Sequence, residues 1–359
     1  MRHPTRLLVV LTAVAAPLAA EERTQRFDRD PGWDGHNNRL ASPRTVRQDF
    51  GLSKGKLGGF LSTAAEPAYF ARKLDPRTFD DELSASGTLL CDGPQTHFLL
   101  GFFHAGTLNE WRTPNTVALR ISPRGSFFYA WLEYCTKDWR AGGDSPRSFP
   151  MKRDPKTGRM SLEGFATKKP WKWSLRYDPR GNDGRGVVTA TIGDQTAVCH
   201  LGDGHKADGA TFNRFGLLNV MKHADGGGEL WVDHLTINGQ RDNLGRPADW
   251  EGHNNRRTYT TTDVRPRFDF GFSPTSFAGG DKGELGGLVF RGDCRFPQRM
   301  AAYGDRLSEL TLDKPLRASG KVCLRRGVTD STVLLGFYHS KESMTSNPSQ
   351  SYGLPRGFL

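Results

Sequence analysis

The sequence has little cysteine, no convincing helical pattern and few long apolar runs. Its five cysteines, Cys91, Cys135, Cys199, Cys294 and Cys323, stand far apart. None forms a Cys-x-x-Cys pair, which argues against a zinc ribbon or a thioredoxin-like dithiol. The odd number leaves at least one thiol outside any intramolecular disulfide, and a Cys91 to Cys135 bridge is one open pairing. No window of ten or more residues carries an apolar stripe at helical spacing. Gly-x-Ser-x-Gly, the phosphate loop and His-Glu-x-x-His are all missing, which disfavours nucleotide and zinc-hydrolase chemistry.

The one long apolar run is at the start. Arg2 and Arg6 precede residues 7–16 (Leu-Leu-Val-Val-Leu-Thr-Ala-Val-Ala-Ala), and small residues follow up to Ala20. This is the build of a secretory signal peptide over residues 1–20, too short for the roughly 20 apolar residues of a membrane span. The expected location is therefore secreted, periplasmic or cell-surface, with no transmembrane segment. Lys and Arg number 50 against 39 Asp and Glu, a net +11, which becomes +9 without Arg2 and Arg6. Such a field attracts polyanions, but the basic residues are scattered and form no block. An anionic polysaccharide is the expected partner, and nucleic acid is not.

With 42 Gly and 21 Pro between short apolar runs, the composition favours sheets. The most informative feature is an internal repeat. Residues 33–39, Trp-Asp-Gly-His-Asn-Asn-Arg, return at 250–256 as Trp-Glu-Gly-His-Asn-Asn-Arg. The likeness continues in order, with 46–53 matching 264–273, 55–59 matching 283–287, 85–87 matching 318–320 and 99–104 matching 334–339. The expected organisation is one full domain over 26–240 and a partial repeat over 241–359. The partial repeat has no counterpart of residues 171–237, so it reads as truncated, or as half a sandwich that another chain completes.

Within the first unit, residues 171–177 alternate, with Trp171, Trp173, Leu175 and Tyr177 on one face. Two runs, 186–192 and 195–201, flank Gly193-Asp194, a two-residue hairpin connection. Residues 126–134, 212–221 and 228–237 read as further strands. About a dozen short strands fit a two-sheet sandwich whose interlayer space takes Trp171 and Trp231. The strand patterns at 171–180, 186–192, 212–219 and 227–237 resemble the C-terminal strands of laminin G-like and concanavalin A-like jelly rolls. This resemblance implies an all-β, concanavalin A-like jelly-roll β-sandwich with a second, incomplete copy. It covers about residues 80–239 and leaves out the Trp-acid-Gly-His-Asn-Asn-Arg opening, which marks a distinct subgroup.

Two groups of residues could carry function. Trp33, His36, Asn37, Asn38 and Arg39, with the repeat copy Trp250, His253, Asn254, Asn255 and Arg256, offer amides, imidazole, guanidinium and indole to a sugar bearing a carboxylate or sulfate. The same residues also suit a turn, with the Trp in the core and the Asn residues left-handed and bonded to main chain. Asp34 and the Asn carbonyls offer oxygens to calcium, although the spaced loop of an EF-hand is absent. The second group shares one strand face: Phe127, Tyr129, Trp131, Glu133 and Cys135, with Arg120 and His104 on neighbouring strands. A buried Glu133 would need a partner.

The expected activity is carbohydrate recognition without catalysis or cofactor, with Tyr129, Trp131 and Glu133 joining the two repeated blocks as ligand-binding residues. If the chain is an enzyme, a polysaccharide lyase or glycosidase on the same fold, His104, Glu133, Tyr134 and Arg120 are the candidate catalytic set. A purely structural surface module is the third reading. Residues 291–293 spell Arg-Gly-Asp, a tripeptide too short to identify an integrin partner.

Overall fold

The computed structural model describes residues 23–345 except 41–42, 108–112, 144–148, 150, 154, 159, 163, 222–224, 263–266, 291, 293–295, 326 and 328–332. The leader at 1–20, Cys294 and the ends of the Arg-Gly-Asp tripeptide lie outside the described residues. Among the described residues no helix is long and apolar enough to cross a membrane.

In chain order the strands are β1 (Asp34–His36), β2 (Pro43–Ser53), β3 (Lys56–Leu61), β4 (Tyr69–Thr78), β5 (Leu83–Asp92), β6 (Phe98–Phe103), β7 (Thr116–Pro123) and β8 (Phe127–Cys135). Then come β9 (Ala141–Gly142), β10 (Met151–Arg153), β11 (Met160–Leu162), β12 (Phe165–Ala166), β13 (Trp171–Asp178), β14 (Val187–Ile192), β15 (Gln195–His200), β16 (Thr211–Asn219) and β17 (Gly228–Ile237). The last are β18 (Gln240–Arg241), β19 (Trp250–His253), β20 (Arg256–Thr262), β21 (Arg267–Ser273), β22 (Glu284–Phe290) and β23 (Ala302–Gly304).

Two antiparallel sheets stack as a jelly-roll-type β-sandwich. One has eight strands in the order β12-β8-β7-β6-β16-β4-β19, with β9 beside β8. The other has nine, β15-β14-β13-β5-β17-β3-β2-β20, with β18 beside β17. Alternation decides which side chains enter the interlayer space. Trp173, Leu175 and Tyr177 of β13 are buried there with Val117, Leu119 and Ile121 of β7 and Phe128, Ala130 and Leu132 of β8. At β14–β15 the two-residue turn forms as expected: Ile192 pairs with Gln195, and Gly193 takes a φ of +61°, the left-handed backbone such a turn needs.

Two expectations are corrected and one open pairing is resolved. Trp171 lies partly buried against the core, but Trp231 points the other way, to the outer face, with its Nε1 donating to Glu229 Oε2 at 3.1 Å. Leu230 and Val232 take the inner positions beside it, and a register shift between Asp233 and Thr236 returns Leu235 and Ile237 to the core. Second, the first sandwich does not close at residue 240. Strand β19 pairs with β4 in one sheet and β20 with β2 in the other, so residues 250–262 finish the first unit. Third, Cys91 and Cys135 are not bridged. Cys91 faces the core, where burial pushes its thiol pKa well up, whereas Cys135 shares the outward parity of Glu133.

The second unit is an antiparallel hairpin, β21–β22, plus β23, which pairs with β1 from the start of the chain. Residues 307–325 form no strand, although they include the repeat of β5.

Candidate functional site

Strand β8 places Phe127, Tyr129, Trp131, Glu133 and Cys135 on the outer face of the eight-stranded sheet, while Phe128, Ala130, Leu132 and Tyr134 enter the core. The register sets Trp131 opposite Arg120 and Glu133 opposite Ala118. Arg120 Nη1 donates to Glu133 Oε2 at 2.8 Å, and Arg120 Nε donates to His97 Nδ1 at 3.3 Å. The guanidinium lies 5.2 Å from the Trp131 ring centroid, and His97 meets the same indole edge-on at 5.6 Å. Glu133 is only 3% exposed, and Arg120 is the partner that makes a buried carboxylate tolerable.

The Trp131 Nε1 donor is buried without an acceptor among the described residues, as is Arg124 Nε at the turn entering β8. Tyr129 and Trp131 are half-buried and Phe127 is exposed, with the Phe127 and Tyr129 rings 5.2 Å apart.

From Glu133 a row of paired residues crosses the sheet: Ala118, Gly101, Gly216, Ala71 and Glu251. Small residues are required here. A Cβ at Gly101 would lie 2.3 Å from Val117 O, and one at Gly216 would lie 2.3 Å from Phe70 O. At the far end Glu251 accepts from Arg214 Nε at 2.7 Å and from the Tyr69 hydroxyl at 2.9 Å. The Arg214 hydrogen bond holds the Glu251 carboxyl below the usual carboxylate range, while burial, reinforced by Glu251, pushes Tyr69 up to about 12. Five inter-strand spacings put the two arginine-anchored carboxylates about 24 Å apart. That is too far for them to flank one glycosidic bond.

The middle of this row is covered. Phe290, at the end of β22, packs with Tyr69, Ala71, Leu99, Phe103, Ala118, Leu218 and Val220 as a second apolar cluster on the outer face. Through Phe290 the second unit thus sits on the small-residue floor, while at the β8 end Phe127 is exposed, Tyr129 and Trp131 are half-buried, and Arg120 and Glu133 are buried.

The catalytic set expected from sequence does not converge. Tyr134 points inward; its hydroxyl is 2.8 Å from His205 Nδ1 and accepts from Gly202 N at 2.9 Å, on the side of the sheet opposite Glu133. His104 lies in the loop after β6, where its Nδ1 accepts from Gly106 N at 3.1 Å. Only Arg120 and Glu133 of the four meet. Sequence reasoning missed His97, which joins them. Its signal was parity: His97 shares the outward phase of Leu99, Gly101 and Phe103, and it lies just before β6.

The repeated blocks have a different geometry. Trp250 is buried in the core and stacks on Phe70 at 5.6 Å. Asn254 takes a left-handed φ of 51° and donates from Nδ2 to Pro67 O at 2.9 Å. Asn255 donates from Nδ2 to Phe50 O at 2.7 Å, and its carbonyl accepts from Phe50 N at 3.0 Å. Gly252 is required because a Cβ there would lie 2.2 Å from Asn255 Oδ1. His253 stacks on Tyr69, and Arg256 approaches Gly51. The block therefore turns the corner from one sheet to the other, with its amides on main chain.

The first block does the same for the second unit. Asn37 (φ 51°) donates to Met300 O at 2.9 Å, Asn38 donates to Phe270 O at 2.6 Å, and Phe270 N donates to Asn38 O at 3.0 Å. His36 Nε2 lies 3.1 Å from Asn37 Nδ2, Trp33 is tilted 6.0 Å from Tyr303, and Arg39 pairs with Asp269. Asp34, the calcium candidate, is paired with Arg306 at 2.8 Å. No group of three or more potential metal ligands occurs among the described residues.

No family model matches the chain, and no curated protein matches it. Among solved structures it is similar to an alginate lyase from Pseudomonas aeruginosa (9% identity, 53% of this chain and 85% of that one, TM-score 0.31). It is also similar to a family 7 alginate lyase in complex with substrate (12% identity, 56% and 84%, TM-score 0.33). A third likeness is to lactose-liganded congerin II (9% identity, 50% and 99%, TM-score 0.25). At these scores the likenesses carry no argument about activity.

Proposed function

We propose that the chain is an extracytoplasmic carbohydrate-recognition module that binds polysaccharide, with anionic polymers preferred, on the aromatic strip at the β8 end of the eight-stranded sheet. The observation that carries the reading is the strip Phe127, Tyr129 and Trp131, on one face at period two, with Phe127 exposed and Tyr129 and Trp131 half-buried. Aromatic faces with a few placed polar groups suit sugar rings, whose carbon faces stack and whose hydroxyls accept. Lys169, 4.4 Å from the Trp171 ring, and the net positive charge favour a uronate or sulfate. The Arg120–Glu133 pair positions the indole and takes no part in bond cleavage under this reading.

The test is retention of the protein on immobilised neutral, uronic-acid and sulfated polysaccharides, with assays for new unsaturated or reducing ends. The expected result is retention on an anionic polymer, weakened at least tenfold by Trp131→Ala, with no new ends. Released ends that disappear in Glu133→Gln would replace this reading with an enzyme, and absence of retention on every polymer would leave a structural module.

A further inference from the structure

The two Trp-acid-Gly-His-Asn-Asn-Arg blocks dock in the same way, residue for residue, on two different receptors. Gly252 pairs with Phe70 and His253 with Tyr69, just as Gly35 pairs with Tyr303 and His36 with Ala302. Extending these registers makes Met300 the equivalent of Pro67, and the first Asn of each block donates to that carbonyl at 2.9 Å in both places. The second Asn exchanges two bonds with Phe50 in one receptor and with Phe270 in the other. Even the glycine requirement repeats, since a Cβ at Gly35 would lie 2.3 Å from Asn38 Oδ1.

The topological difference is large. The 250–256 block follows the sandwich that it closes, whereas the 33–39 block precedes its receptor by more than two hundred residues. We propose that the edge formed by Phe270, Met300 and Tyr303 is a sequence-specific binding site for a Trp-x-Gly-His-Asn-Asn-Arg segment, and that its occupant is the 33–39 block of the same chain. The two Asn amides read the receptor's carbonyls at fixed spacing, the Gly makes room for the second amide, and the Trp covers the receptor's aromatic ring. Each unit is then closed by a block lying outside its own hairpins, so the start of the chain and the second unit are latched together.

Two measurements on the full chain test this. The first uses a fluorescent peptide spanning residues 30–39 and the Asn37→Ala/Asn38→Ala chain, whose own block is disabled while its receptor is intact. The peptide should bind this chain saturably, bind wild-type chain at least tenfold more weakly because the site is filled, and lose at least tenfold in affinity when its own two Asn are Ala. Failure to bind the disabled chain, or binding indifferent to the Asn residues, overturns the site.

The second is disulfide formation in His36→Cys/Ala302→Cys, an adjacent cross-strand pair, made with Cys199→Ser, Cys294→Ser and Cys323→Ser and checked for native circular dichroism. A cross-linked monomer is expected. A covalent dimer would show that the occupant comes from a second copy, and no cross-link in a folded chain would overturn the docking.

Discussion

Strands β5 and β6 and their repeats in the second unit compare one sequence pattern in two settings. In the first unit the Ala-Ser-Gly of β5 lies between β13 and β17, with Leu89 and Cys91 fully buried. The second unit's Ala318-Ser-Gly320 leads into Val322 and Leu324, which are 77% and 78% exposed and belong to no strand. Likewise Leu100 is buried between β7 and β16, while its repeat Leu335 is 74% exposed. What differs is the neighbours: among the described residues no strand pairs with 318–324. A strand with neither ladder partners nor a facing layer gains too little to offset its ordering entropy, whatever its pattern.

The hairpin β21–β22 shows the converse. It keeps the register of β2–β3, with Phe270 opposite Gly287 as Phe50 is opposite Gly59, because both of its strands are present and the 33–39 block seals one edge.

The sharpest way to break this comparison is hydrogen exchange. Amides of β5 and β6 should exchange only through global opening, at a cost on the order of 5–15 kcal/mol, and those of 307–325 at nearly unprotected rates. Equal protection of the two segments would refute the claim that neighbours decide which copy folds.

Next in size, Trp250→Ala should cost the first sandwich about 3–5 kcal/mol in urea unfolding. Trp33→Ala should leave the same transition within about 0.5 kcal/mol, since Trp33 is only half-buried and serves the other unit. Smaller again, Asn255→Ala strands the Phe50 carbonyl and should cost about 1–3 kcal/mol, and Asn38→Ala should leave the first sandwich unchanged.

The smallest expected effect is on pH dependence. Because Arg214 lowers the folded Glu251 pKa, its contribution is complete above the ordinary glutamate value of about 4.3 and is lost as pH falls through the depressed one. The stability gap between wild type and Glu251→Gln should therefore close in acid. His205 has a pKa lowered first by burial, so the unfolded chain binds its proton more readily and stability declines as pH falls below about 6.5. His205→Gln should flatten that part of the profile.

Much of the fold is legible in the sequence because alternation is local. The faces of β8 and β13, the β14–β15 turn and the repeat all follow from spacing alone. Trp231 is misplaced by the same logic, because a large aromatic in an alternating run suggests core while its neighbours Leu230 and Val232 claim that side. For the candidate site, Arg120 and Glu133 are legible as outward residues on neighbouring strands. His97 is legible only by carrying the outward parity of β6 one residue ahead of the strand, and His104 draws attention in its place because a position at a strand end is easier to see than a direction.

By itself the sequence determined an all-β chain, its duplication and the identity of the repeated block, since each is written in local period or in copied residues. Tertiary structure alone decided that each block belongs to a receptor outside its apparent unit, that Phe290 covers the small-residue floor, and that one copy of a strand pattern folds while the other does not. Those outcomes depend on which surfaces and main-chain groups are brought within a few ångströms of each other by chain segments far apart in order, and period-two patterns carry no information about that.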